Sequence, residues 1–342
     1  AVFMSKEQLL YASLHNLYLL EKADTATIVS DLMGLQAQFA NNPKYALQIR
    51  ASDYSENNWY QGLIKTWTFR GTLHVVRQDE LSLFLSAVGV RPWDDHWGID
   101  PKVKPYWAEK LRSWIASGIV ERDKLKEKCL EAGMEPELLD KVFHGWGGLL
   151  RDMCVRGMIA GTPGTKKRFV ACDLELMDMQ GARLEVILRY FKAFGPASLT
   201  DCAYFTGFRK REVVKLVEEA GLPLQSIFDH DRELFYLGEL PSGGRIPECL
   251  FLTGFDQLLM GYRDRSRYLD EKYKGKVTTN TGIVFPTILL HGRLQAKWKK
   301  TGAKLLITPF ARLARRDRDL IADKAQDVFG ADVRSVTFAD PS

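Results

Sequence analysis

Apolar residues recur at helical spacing along the first twenty positions. Leu9, Leu10, Leu14, Leu17 and Leu20, with Ser5 placed to cap, predict a helix over 5–20. A second helix starts near Asp24-Thr25, carries Ile28, Val29, Leu32 and Met33, and ends or bends at Gly34. Short helices are predicted over 43–50 and 55–64. The pattern then changes to strand-like runs. Thr66 to Arg70 and Thr72 to Val76 read as paired strands turning at Gly71. Helices followed by a small hairpin are the order of a winged helix, a helix-turn-helix variant that often binds DNA.

The same order recurs twice. Helices over 121–132 and 136–156 precede strands at 158–160 and 168–170, which flank the basic, turn-rich tip Gly161 to Lys167. Helices over 184–194, 198–205 and 209–220 precede a hairpin of 224–228 with 233–237. After Pro241-Ser242-Gly243-Gly244, strand-like runs at 249–253, 282–285, 287–291, 294–298 and 304–309 predict a small β-barrel or curled sheet. A helix over 315–328 and a strand over 334–338 close the chain. The expected fold class is α+β: tandem winged-helix modules over 4–100, 101–178 and 179–240, with a C-terminal small β-barrel over 241–342.

Composition adds little to this picture except at the C-terminal end. The net charge is +5, but residues 256–342 hold 17 Lys/Arg against 10 Asp/Glu, while the first 255 sum to −2. A basic C-terminal quarter fits a polyanionic partner, or is simply a solvated face. No apolar run approaches a membrane span, and the opening residues lack the pattern of a signal peptide. Five scattered cysteines and six histidines have no metal-ligand spacing, so reduced thiols and no cofactor or metal are expected. No dimerisation helix is evident, and a monomer in the bacterial cytoplasm, associated with the nucleoid, is the expectation.

Four stretches, in order, resemble the AlkZ/YcaQ family of winged-helix DNA glycosylases. They are Gly34-Leu35-Gln36-Ala37-Gln38 with Pro43 and Ala46 to Arg50; Phe69-Arg70-Gly71-Thr72-Leu73-His74; Phe194-Gly195-Pro196-Ala197 running to Phe205-Thr206-Gly207-Phe208; and Leu252-Thr253-Gly254-Phe255-Asp256 followed by Gly261 to Arg267, Phe285-Pro286, His291-Gly292-Arg293 and Trp298. Each is weak alone; the ordered set is specific. The resemblance implies tandem winged helices held by a C-terminal β-barrel, forming a concave DNA-binding surface. Gln36-Ala37-Gln38 resembles the Gln-x-Gln branch, which includes enzymes that remove bulky natural-product adducts and unhook crosslinks. The implied partner is double-stranded DNA carrying alkylated purines, and the implied activity is monofunctional base excision.

Under that resemblance Gln36 and Gln38 are the catalytic pair. Two residues at i and i+2 face one side only in extended backbone, since they diverge by about 200° in a helix; an extended segment or helix-ending turn is therefore expected after Gly34. Arg50, Arg70, Thr72 and His74 are candidate DNA contacts, although an isolated histidine is more often structural. Arg263, Arg265 and Arg267 would share a strand face, giving either a phosphate-binding row or an intramolecular network with Asp256 and Asp264. Asp256 is expected to support Arg263 or Arg265. Lys166 and Lys167, with Arg168, either touch phosphate or form a solvated turn. Lys297, Lys299 and Lys300 flank Trp298, whose ring is expected in the core. Arg91 to Trp97, with Trp107 and Trp114, either line a pocket or pack between modules. The competing reading is a winged-helix DNA-binding protein or transcriptional regulator without catalysis.

Overall fold

A computed structural model describes residues 1–342. The chain folds as two compact units, one of residues 1–59 with 187–342, the other of residues 60–186. No helix is long and apolar enough to cross a membrane.

In the first unit the helix Lys6–Asn16 begins at Ser5, whose hydroxyl accepts from the Gln8 N–H while the Gln8 amide oxygen accepts from the Ser5 N–H. This reciprocal cap satisfies two N–H groups that the first helical turn leaves without partners. Asp24 caps Thr25–Asp31 in the same unit, and Asn42–Arg50 follows. Leu199–Thr206 is capped by Ser198 and Asp201, then Lys210–Ala220 leads into the antiparallel hairpin of Gln225–Asp229 with Arg232–Tyr236. The helix expected over 55–64 does not form. Residues 56–62 are turns, and Gly62 at φ 72 turns the chain into a strand that starts at Leu63.

The C-terminal strands form an open five-stranded sheet in the order Ser335–Phe338, Lys304–Pro309, Arg293–Thr301, Thr287–Leu290, Cys249–Leu252, with no closed barrel. The strand needed at 282–285 is missing: Gly282 sits in a turn at φ 88, and only Val284 bridges Thr278. Along Arg293–Thr301 burial alternates, with Leu294, Ala296 and Trp298 inward and Lys297 and Lys299 outward, as a half-buried strand requires. The helix Arg315–Phe329 packs on the Cys249–Leu252 strand. Phe251, Trp298, Phe329 and Tyr45 meet there with ring centroids 5.4 to 6.1 Å apart.

In the second unit the strands Leu63–Trp67 and Leu73–Arg77 pair antiparallel, and Ile159–Gly161 with Phe169–Ala171 extend the sheet. The first strand thus lies three residues earlier than expected, because Phe69–Gly71 is a 3-10 turn. The helix expected over 136–156 is two helices, Pro136–Val142 and Gly148–Val155. The break centres on Gly147 and Gly148 at φ 133 and 60, where a Cβ on Gly148 would stand 2.3 Å from the Val142 carbonyl oxygen. Leu81–Val88 and Lys104–Ala116 are further helices. Leu111, Ile115, Leu125, Leu149 and Met153 form the core, joined by Trp107, while Trp114 packs against its edge.

Candidate active site

In the first unit, the helix Thr25–Asp31 ends at Met33 and Gly34, both with positive φ (55 and 95). Glycine takes this conformation without a Cβ clash, and it redirects the chain into extended backbone. Leu35–Gln36 is a two-residue strand, and Gln38 follows in a bend. Gln36 is buried at 4% exposure, whereas Gln38 is exposed. Phe39 also faces solvent, at 51%, with its ring 6.1 Å from that of Phe255.

A buried support lies beneath this segment. The Gln257 side-chain amide donates to the carbonyls of Leu32 (3.1 Å) and Gly34 (2.7 Å), fixing the chain as it leaves the helix. Gly254 sits against Asn42, leaving 3.1 Å between a hypothetical Cβ and the Asn42 amide nitrogen. The Thr253 hydroxyl donates to the Asn42 carbonyl. Neither Gln257 nor Asn42 is singled out by the sequence pattern. Each adjoins a family stretch, Gln257 just after Asp256 and Asn42 just before Pro43, and a glutamine leading the apolar run Leu258-Leu259-Met260 is the one local signal.

Arg50 is not a DNA contact. Its side chain is fully buried and grips Asp256 with two parallel bonds of 3.0 and 2.7 Å, while its Nε donates to the Leu17 carbonyl. Asp256 therefore supports Arg50 rather than Arg263 or Arg265. Its two oxygens also accept from the Thr253 and Leu258 N–H groups. With four donors in place, this carboxylate has no lone pair left for a substrate proton or a water.

The expected arginine row is also overturned, since residues 263–267 are bend and turn rather than strand. Arg267 is buried, donates to Ser13 Oγ and the Pro196 carbonyl, and lies 4.2 Å from the Tyr262 ring centroid. Arg265 donates to the Leu259 carbonyl, Thr278 Oγ1 and Tyr204 Oη. Only Arg263 is exposed. Trp298 lies in the core as expected, its indole N–H donating to the Leu252 carbonyl.

In the second unit, Arg70 and Gly71 both adopt left-handed backbone at the hairpin turn (φ 61 and 65). Arg70 is partly exposed, and Thr72 uses its hydroxyl on the Phe69 carbonyl. His74 is wholly buried, and Nδ1 donates to the Thr72 carbonyl at 3.0 Å. Burial, with Arg70 beside it, lowers its pKa to about 3. A neutral, enclosed imidazole reaches neither phosphate nor lesion, so the DNA-contact reading of His74 is corrected to a structural one. Lys166 and Lys167 are exposed at the tip of the Ile159–Gly161/Phe169–Ala171 hairpin, where a groove contact requires them. Lys65, next to that tip, has its pKa lowered by burial and by Lys167.

The five cysteines are free and buried, and burial raises the Cys129, Cys154 and Cys249 thiols to about 12. No group of three or more His, Cys, Asp or Glu is gathered as metal ligands would be.

Residues 29–329 match the family model described as "DNA glycosylase AlkZ-like". The chain belongs to the AlkZ-like DNA glycosylase family. Among its relatives is the "Interstrand DNA cross-link repair glycosylase" of Streptomyces sahachiroi, 25% identical over 311 residues, which are 83% of this chain and 84% of that one. The solved structure of Streptomyces sahachiroi DNA glycosylase AlkZ superposes with a TM-score of 0.82 at 22% identity, covering 99% of this chain and 100% of that one. The mixed α and β architecture is thus that of an AlkZ-like DNA glycosylase, an enzyme class of DNA repair.

Proposed function

We propose that this glycosylase hydrolyses the N-glycosidic bond of cationic N7-alkylated purines, leaving an abasic site. Bulky natural-product adducts and interstrand crosslinks fall within this class, the latter in keeping with the name of the Streptomyces relative. The helix-plus-hairpin units would act as winged helices on duplex DNA, with Lys166, Lys167, Arg70 and Arg263 as phosphate contacts.

The observation that carries the reading is the state of the two residues best suited to acid–base work. Asp256 is saturated by four donors, and His74 is neutral and enclosed. A normal purine is a poor leaving group and needs such help. N7-alkylation supplies the positive charge beforehand, so the C1′–N9 bond breaks with its electron pair passing to the base, which departs neutral. Water then adds to the oxocarbenium-like sugar at C1′ and releases its proton to solvent. Two neutral amides suffice for what remains. Their carbonyl oxygens direct negative dipole density at the sugar cation and accept a hydrogen bond from the attacking water. Gln36 and Gln38 are assigned that work as a pair.

The test is a lesion panel on one duplex: undamaged, hypoxanthine, 8-oxoguanine, N7-methylguanine, mustard monoadduct, mustard crosslink and a bulky intercalating adduct. Hot alkali after incubation breaks the strand at abasic sites. Enzyme-dependent alkali-sensitive breaks, in excess of those in an enzyme-free control and confined to the cationic lesions, are expected. Equal breaks on neutral deaminated or oxidised bases, or none on any lesion with a gel shift on undamaged operator DNA, would contradict the reading.

A further inference from the structure

The Arg91-to-Trp97 stretch has no part in the chemistry above, yet it lines a cleft of about 400 Å³ lying within the 60–186 unit. Trp67, Trp93 and Trp97 contribute partly exposed indoles, and Arg91, Arg151 and Arg156 contribute guanidinium groups. Two of these cations already lie over rings, Arg156 at 4.0 Å from the Trp93 centroid and Arg151 at 5.3 Å from that of Trp67. Arg91 is exposed and forms no ion pair.

The cleft is held open by buried polar structure. Lys104, with no exposed side chain, donates to Asp152 (2.7 Å), the His96 carbonyl (3.0 Å) and Asp94 (3.4 Å). The Trp97 indole N–H donates to the other Asp152 oxygen at 3.2 Å. Trp97 itself has φ 69, a conformation costly for a bulky residue and kept only where the surroundings enforce it. The two carboxylates at the cleft are therefore answered from within, by Lys104 and Trp97, and the three arginines give it a net positive lining.

We propose that this cleft binds one unpaired nucleotide of the DNA, its base stacked on the indoles and its phosphate held by the arginines. Arg151 gives one N–H to the Gly71 carbonyl and Arg156 one to the Arg91 carbonyl, which leaves the rest of each fork, and all of the Arg91 side chain, for an anion beside the indoles. A free phosphate has no use for three indoles, and a neutral aromatic has no use for three guanidiniums. A planar ring joined to a phosphate uses both. The base must be unpaired, because stacking here requires a ring face free of its own helix. The volume falls in the range of small-molecule sites. The proposal rests on DNA being the substrate only for the source of the nucleotide.

Tryptophan fluorescence of the full chain tests it, in a Trp146→Phe background because Trp146 is 76% exposed and responds to any solute. dTMP is expected to quench saturably, with thymidine and inorganic phosphate each about tenfold weaker. Arg156→Ala should weaken dTMP about tenfold, and so should Arg91→Ala, which removes no packing. Trp93→Phe should keep the response and Trp93→Ala lose it, with circular dichroism separating lost binding from lost fold. Phosphate matching dTMP, or dTMP binding unchanged in both arginine variants, would overturn the proposal. Gln36→Ala with Gln38→Ala should bind dTMP normally, so failure of this cleft and failure of the catalytic assignment are read independently.

Discussion

A buried guanidinium and carboxylate decide more about this protein than their place in the sequence suggests. Arg50 and Asp256 are both fully enclosed and doubly bonded, so removing either strands a charge in the interior. Arg50→Ala should cost about 3–5 kcal/mol in chemical denaturation. Arg263→Ala, at an exposed position, should leave stability within about 0.5 kcal/mol. His74 gives a pH signature. Its folded pKa of about 3 lies below the ordinary value of 6.5, so the unfolded chain binds the extra proton between those values. The stability this neutral imidazole confers is therefore complete above pH 6.5 and declines as pH falls towards 3. Urea midpoints taken near neutrality and about two pH units lower should show a smaller acid loss in His74→Asn than in the parent. His74 should likewise contribute no limb near its ordinary pKa to the pH–rate profile.

Elements show where local sequence determines structure and where it does not. Caps and amphipathic helices were legible: Ser5, Asp24 and Ser198 mark real helix starts, and the helix Arg315–Phe329 lies within a residue of its expected span. The backbone is extended at Leu35–Gln36 after Gly34, as expected for the first glutamine, while Gln38 lies beyond the strand in a bend and is exposed where Gln36 is buried. The arginine row was not legible, because alternating charges look the same in a strand and in a turn where Arg265 and Arg267 face inward to Ser13, Pro196, Leu259 and Tyr204. Nor was the role of Arg50, since its partner lies 206 residues away. Apolar periodicity continues across 136–156 and masks the break, which the glycines Gly145, Gly147 and Gly148 permit and the backbone at Gly147 and Gly148 makes. Gly148→Ala should accordingly destabilise by about 1–3 kcal/mol, read by denaturant midpoint. Gln257→Leu should act differently. It leaves the Leu32 and Gly34 carbonyls without their donor and lets the Gln36 segment shift. Base release should fall on the order of ten- to a hundredfold while DNA affinity holds, because misplacement affects the transition state more than the encounter.

Across the whole molecule, the proposed reading assigns affinity for DNA and chemistry on the lesion to different residues, so the two should separate experimentally. Lys166→Ala with Lys167→Ala should lower the slope of log affinity against log salt by about 0.9 for each phosphate no longer neutralised, equally for damaged and undamaged duplex. An unchanged slope would make that tip a solvated turn. The family and the mixed architecture were within reach of the sequence; the openness of the C-terminal sheet was not, because Gly282 to Phe285 reads as a strand until the turn at Thr279 is seen. The most direct measurement is the single-turnover rate of N7-alkylguanine release from alkylated duplex by the parent and by Gln36→Ala with Gln38→Ala, at saturating enzyme and matched folded fraction. The double variant should bind as the parent does and release base on the order of a hundredfold or more slowly. Release at the parental rate would show that the two amides do not perform the chemistry.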